Sequence, residues 1–257
     1  MTFKSRIANK ERLIGTILSL PSPELAEIAS RAGLDWVWID LEHSPTGLLD
    51  VQRMIQATGG RVATLVRVPW NDPVWIKRVL DLGCDGVIVP QIRSAAEALA
   101  AVSACLYPPA GERSIGIARA QQFGMEFQQY IETANNHVCV ILQIEHREGV
   151  DRIDEILSVP GFDAVLVGPY DLSGSYGVLG QVGHPKVVES MARTRASAKT
   201  HNRAVGIFAA DVQTVQIYLS NGYTLIAMST DAMIYGNAIR RAANEMRAVV
   251  SPSPDKM

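Results

Sequence analysis

HVCVILQIEHREGV (residues 137–150) and DAVLVGPYDLSGSYG (residues 163–177) decide the fold. Each contains a short apolar run rich in β-branched residues, Val138 to Ile144 and Ala164 to Val167. Polar or Gly/Pro punctuation bounds both runs, the pattern of a buried strand. Each run leads to a carboxylate: Glu145 directly, and Asp171 after Gly168, Pro169 and Tyr170. A helix predicted over about Val150 to Ser158 joins them. A helical crossover makes the two strands parallel neighbours, so both acids emerge at the same end of the sheet. Hard oxygen ligands of this kind suit magnesium or manganese.

The same alternation repeats outward from this pair. Strands are predicted at Leu13 to Ser19, Asp35 to Asp40, Val62 to Val66, Asp85 to Pro90, Ala204 to Ala209 and Thr224 to Met228. Helices lie between them, with Ser22, Ser94 and Asp211 as N-caps and Pro23 and Pro73 in first turns. A last helix runs from Asp231 through about Ala248. Eight strands alternating with helices, without a linker, give an α/β (β/α)8 TIM barrel. The expectation is a single barrel domain over residues 1–250 and a flexible tail at 251–257. A doubly wound open sheet is the competing architecture. Residues 107–124, punctuated by Gly and Pro, form a long loop of the kind that is usually functional.

Composition excludes several classes. The 257 residues are 47% hydrophobic and 19% charged, with net charge −2 and no Lys/Arg cluster, so no nucleic acid partner is expected. Cys84, Cys105 and Cys139 lack CxxC spacing and read as reduced thiols in the cytoplasm. No apolar run reaches the roughly 18 residues of a membrane span. HExxH and GxSxG are absent, and Gly174, Gly177, Gly180 and Gly183 read as a turn-rich loop, not a nucleotide cradle.

In such a barrel chemistry gathers at the C-terminal ends of the strands. Strand two offers Asp40, Glu42 and His43, strand three Arg67, strand five Gln143 and Glu145, and strand six Asp171. Asp81, in the helix after strand three, is a less obvious candidate. Glu145 and Asp171 read as metal ligands that leave positions for water and a chelating substrate. The plainer reading is two solvated or helix-capping acids. His43 suits general base work, its ordinary pKa being about 6.5; the plainer reading is a loop histidine. Arg67 can stabilise an anionic intermediate or simply pair with an acid. Gln143 shares a strand face with Glu145, where a core hydrogen-bonding role competes with substrate contact. Trp36 and Trp38 alternate on one face and read as core packing.

Five strings, WIDLEHSPTG (38–47), LVRVPWNDPVWIKRVLDLGCDGVIVP (65–90), YPPAGERSIG (107–116), ILQIEHREGVDRIDEIL (141–157) and GPYDLSGSYG (168–177), complete the pattern. In this order they resemble the HpcH/HpaI aldolases, metal-dependent class II pyruvate aldolases of the phosphoenolpyruvate-binding barrel superfamily. The likeness covers about residues 12–245. It implies cleavage of a 4-hydroxy-2-keto acid to pyruvate and an aldehyde, with a divalent ion (Mg2+, Mn2+ or Co2+) on Glu145 and Asp171. It further implies pyruvate contact by Gln143 and by the segment Gly168, Pro169, Tyr170 and Asp171, and His43 as base. Asp81 would raise the basicity of His43, Arg67 would steady the enolate, and Asp40 and Glu42 would order the rim. Arg119 falls where relatives hold an arginine for the aldehyde, although the local spacing is shorter. A hexamer is implied, with the C-terminal helix around Met233 to Val249 packed on, or exchanged with, a neighbour. The family also includes decarboxylases and a carbon–carbon bond-forming synthase. A decarboxylase of oxaloacetate-like acids and a non-catalytic carboxylate-binding barrel are therefore the alternatives. Tyr170 stands where the bicarboxylate aldolases carry a small residue, Ile17 where they carry an aromatic, and Leu41 where they carry a glycine.

Overall fold

The computed structural model describes residues 1–250; the tail expected at 251–257 lies outside the described residues. Eight parallel strands close a barrel in chain order, with β8 pairing back onto β1. They are β1 (Leu13–Leu18), β2 (Trp36–Asp40), β3 (Ala63–Arg67), β4 (Gly86–Val89), β5 (Cys139–Ile144), β6 (Ala164–Val167), β7 (Ala204–Ala209) and β8 (Leu225–Thr230). An open doubly wound sheet is excluded. The helices are α1 (Phe3–Ala8), α2 (Pro23–Ser30), α3 (Leu48–Thr58), α4 (Pro73–Asp81), α5 (Ala95–Cys105) and α6 (Phe127–His137). There follow α7 (Arg147–Asp151), α8 (Ile153–Leu157), α9 (Pro169–Ser175), α10 (Pro185–Thr200), α11 (Val212–Ser220) and α12 (Asp231–Val250). The crossover between β5 and β6 is thus two short helices, starting earlier than expected. His146 caps the first, its Nδ1 accepting from the Glu148 N–H at 3.3 Å.

Period-two alternation sorts the strand residues. Val37, Ile39, Val66, Val87, Val140, Leu142, Val165 and Val167 face outward and pack under the helices. Leu13, Ile17, Trp36, Trp38, Leu65, Ile88, Ile141 and Leu166 fill the interior. Phe3 and Ile7 of α1 join that inner cluster, and the Phe3 ring lies 6.4 Å from that of Trp36. The floor of the barrel is therefore filled with apolar side chains, and polar inward positions occur only at the other end.

Acids at the strand starts have a structural task. Asp35 accepts the Ile14 N–H at 2.9 Å, Asp85 that of Thr64 at 2.7 Å and Asp163 that of Val140 at 2.8 Å. Each satisfies an N–H of the preceding strand that the ladder leaves exposed at its end. Gly33, Gly83 and Gly161 precede them by two residues at φ +80°, +79° and +94°, ending each connection in the left-handed region so that the next strand starts in register. No helix among the described residues is long and apolar enough to cross a membrane.

Candidate active site

Register brings Asp40 of β2 opposite Arg67 of β3 at the C-terminal end of the barrel. The guanidinium is held in a fork: Nε donates to Asp40 Oδ1 at 2.8 Å and Nη2 to Oδ2 at 2.7 Å. Nη1 lies 2.7 Å from Glu42 Oε2. The plane of Arg67 covers Trp38, 4.7 Å from the ring centroid. Burial works against its charge, but the hydrogen bonds and charge of Asp40, then Glu42 and Glu145, more than offset this and raise its pKa. Trp38 is therefore both core and platform, a second role that alternation alone did not reveal.

Glu145 is 1% exposed and forms no salt bridge. Its Oε1 accepts the Gln91 N–H at 2.9 Å and its Oε2 accepts Gln143 Nε2 at 2.6 Å. Gln91 adopts φ +58°, a conformation costly for a side chain, and its N–H is what the carboxylate receives. Burial pushes the Glu145 carboxyl up to about 7; the Gln91 bond opposes this, and the charges of Glu42 and Asp171 add to it. The other end of the Gln143 amide, Oε1, is buried without a partner. Gly168 closes over the pair. A Cβ there would meet Glu145 Oε2 at 2.7 Å and Gln143 Nε2 at 3.1 Å.

Asp171 lies in the first turn of α9 and is exposed. The segment expected to receive a carboxylate is more selective than its sequence suggested. The Gly168 N–H is already engaged with Ile144 O at 3.1 Å, and Pro169 has none. The free first-turn N–H groups belong to Tyr170 and Asp171. His43 stands on the loop after β2 with its side chain 65% exposed and Nε2 3.9 Å from Glu42 Oε2. Asp40, His43, Arg67, Gln143, Gly168, Pro169, Tyr170 and Asp171 all line one cavity of about 360 Å³. Trp38, Ile17, Ser19, Phe208 and Thr230 complete its wall. Glu145 lies just behind that wall, beneath Gly168.

Two expected members are not brought to this mouth by their own chain. α4 runs antiparallel to the strands, so Asp81, at its C-terminal end, sits beside the start of β4 at the opposite end of the barrel. There it accepts from Arg113 Nη2 at 2.8 Å, not from His43. Arg119 is at that end as well, donating to Leu82 O at 2.7 Å.

The two remaining acids fit a divalent ion by their chemistry. A buried carboxylate with no cation of its own is costly, and a cation relieves that cost. Gln143 Oε1 is an orphaned acceptor in the same place. No group of three or more His, Cys, Asp and Glu poised for a metal occurs among the described residues. Two carboxylates are what an ion keeping water and substrate in its coordination sphere requires.

The acids and the clamped arginine of this (β/α)8 barrel gather around a small cavity at the C-terminal ends of the strands, where enzymes of this fold carry their chemistry. The sequence model described as "HpcH/HpaI aldolase/citrate lyase" matches residues 14–238, and the chain belongs to this family. It is 39% identical over 253 residues to a hydroxypyruvate/pyruvate aldolase of Paraburkholderia phytofirmans, covering 95% of this chain and 97% of the relative. It is 35% identical over 247 residues to a 5-keto-4-deoxy-D-glucarate aldolase of Enterobacter sp. strain 638, covering 95% and 96%. The crystal structure of a family protein from Burkholderia cenocepacia superposes with a TM-score of 0.92 at 39% identity, covering 95% of this chain and 98% of that one. The protein is a carbon–carbon lyase of the aldolase type.

Proposed function

We propose that the chain cleaves, and in reverse forms, a 4-hydroxy-2-keto acid, giving pyruvate or a close 2-keto acid plus an aldehyde. The observation that carries this reading is Glu145, a buried acid without a cation, set beside Asp171 and Arg67 in the family's barrel. A divalent ion (Mg2+, Mn2+ or Co2+) held by Glu145 and Asp171 would supply Lewis acidity to the keto acid's oxygens. The chain's own groups do the rest. The N–H groups of Tyr170 and Asp171 receive the carboxylate, and the second N–H of the Gln143 amide, whose first is given to Glu145, donates to the keto acid. His43 takes the C4 hydroxyl proton, the C3–C4 bond breaks, and the electron pair passes toward C3 and the keto oxygen. Arg67, fixed by Asp40 and Glu42, stabilises the negative charge that develops there.

Metal chelation should abolish cleavage and Mn2+ or Mg2+ should restore it; activity retained in metal-free Glu145→Ala protein would end the proposal. His43→Ala should lose aldol cleavage, which needs a base for the hydroxyl proton, while any decarboxylation of oxaloacetate, which needs none, survives. The chain is further proposed to form a homo-oligomer, a hexamer by family likeness. α12 supports this: Asp231 is its only buried residue, while Ile234, Tyr235, Ile239 and Met246 are exposed. In such an assembly Asp81 and Arg119 could serve only a neighbour's mouth.

A further inference from the structure

We infer that the aldehyde partner is small and uncharged, seated against Tyr170, Phe208 and Ile17, and that an aldehyde bearing its own carboxylate is disfavoured. The inference rests on the keto-acid reading of the mouth above. The cavity wall divides by chemistry. Its β2, β3 and β5 side carries Asp40, His43, Arg67 and Gln143; its β7 and β1 side carries Phe208 and Ile17. Tyr170 leans over this second side and meets Phe208 edge-on, with ring centroids 6.0 Å apart and planes at 62°. An edge-to-face aromatic pair makes a firm apolar wall.

The Ser19 hydroxyl and the backbone N–H groups beside it are already engaged on that side. Ser19 Oγ donates to Asp231 Oδ1 at 2.7 Å, and the Ser19 and Leu20 N–H groups donate to the same carboxylate at 2.9 and 3.1 Å. Thr230 Oγ1 accepts the Met233 N–H at 3.1 Å. Among the described residues no lysine lines the cavity and Arg67 is its one arginine, already gripped by Asp40 and Glu42.

Charge leads to the same conclusion. Asp40, Glu42, Glu145 and Asp171 surround the mouth, and Asp231 lies behind Ser19. Arg67 and a divalent ion together leave the first four still in excess by one negative charge, before the keto acid adds its own. A second carboxylate would be desolvated beside acids with no further cation from the described residues of the same chain to meet it. An uncharged aldehyde loses nothing there and gains contact with the aromatic wall. At about 360 Å³ the space is near the lower end of ordinary ligand pockets, so the aldehyde is also short.

The test uses the Mg2+-loaded enzyme with pyruvate and two matched pairs: butanal against 4-oxobutanoate, and benzaldehyde against 4-carboxybenzaldehyde. The neutral member of each pair should have a kcat/KM for aldol addition at least tenfold higher. Saturation transfer by NMR should reach benzyl alcohol and not 4-(hydroxymethyl)benzoate, a readout independent of turnover. Phe208→Arg should move the kcat/KM ratio at least tenfold toward the charged aldehyde; should that variant not fold, the wild-type ratios decide alone. Deuterium exchange at C3 of pyruvate, measured without aldehyde, separates the two levels. No exchange defeats the keto-acid reading itself. Exchange together with equal or better use of the carboxylated aldehydes defeats this inference alone, and makes Arg119 of another copy the candidate for the missing cation.

Discussion

Burial favours the protonated form of the Glu145 carboxyl when no metal lies beside it. Its pKa is raised from the ordinary 4.5 to about 7. The folded state therefore keeps a proton that the unfolded chain releases, and the metal-free protein should lose stability as pH rises through that window. The loss is on the order of 3 kcal/mol at most, and urea midpoints measured across the window should show it. Glu145→Gln should flatten the slope. A divalent ion competes with that proton, so its affinity should tighten as pH rises to about 7 and then level off. Gly168→Ala pushes a methyl group against Glu145 and Gln143. It should weaken Mn2+ binding, read by calorimetry, by about 10–100-fold with the circular dichroism spectrum unchanged. Asp40→Ala removes the fork that holds a buried guanidinium. Chemical denaturation should show a cost of about 3 kcal/mol. At this scale the sequence was informative where a residue sits at or just past the C-terminal end of a strand, as Gln143, Glu145 and Arg67 do. Trp38 under Arg67 and the Gln91 N–H on Glu145 depend on cross-strand register and an unusual φ, which no local pattern encodes.

The elements separate two kinds of acid that look alike in the sequence. Asp35, Asp85 and Asp163 stand before their strands and satisfy ladder N–H groups; Glu145 and Asp171 stand after theirs at the C-terminal end of the barrel, Glu145 buried beneath Gly168 and Asp171 lining the cavity. GLD (33–35), GCD (83–85) and GFD (161–163) were readable as a repeated connection into even-numbered strands, a signal the alternation of apolar runs overshadowed. Asp85→Ala should cost about 1–3 kcal/mol by leaving the buried Thr64 N–H unpaired, while the rate of C3 exchange into pyruvate stays at the wild-type value. The strands themselves were legible because four to six buried residues flanked by turn residues have few other readings. Asp81 and Arg119 lie away from the His43 of their own chain for a geometric reason. A helix after a strand reverses direction, so the residue at its far end returns to the floor. Sequence proximity to strand three therefore carries Asp81 away from the mouth, into its pair with Arg113.

The whole molecule is a closed barrel with one long helix, α12, standing largely off it. Light scattering should give the mass of an assembly, and Ile239→Asp combined with Met246→Asp should shift it to smaller species, because charge at these exposed apolar positions opposes burial against a neighbour. The barrel's interior has a further consequence. Phe3, Ile7 and Trp36 plug it from below, so among the described residues it is a vessel closed at its base and open at the other end. A keto acid seated at depth near Gln143 lies underneath whatever occupies the space by Tyr170 and Phe208. The proposed reaction would then run in sequence: the keto acid would be first to enter in synthesis and last to depart in cleavage, with the aldehyde coming and going over it, an order that product-inhibition kinetics would show.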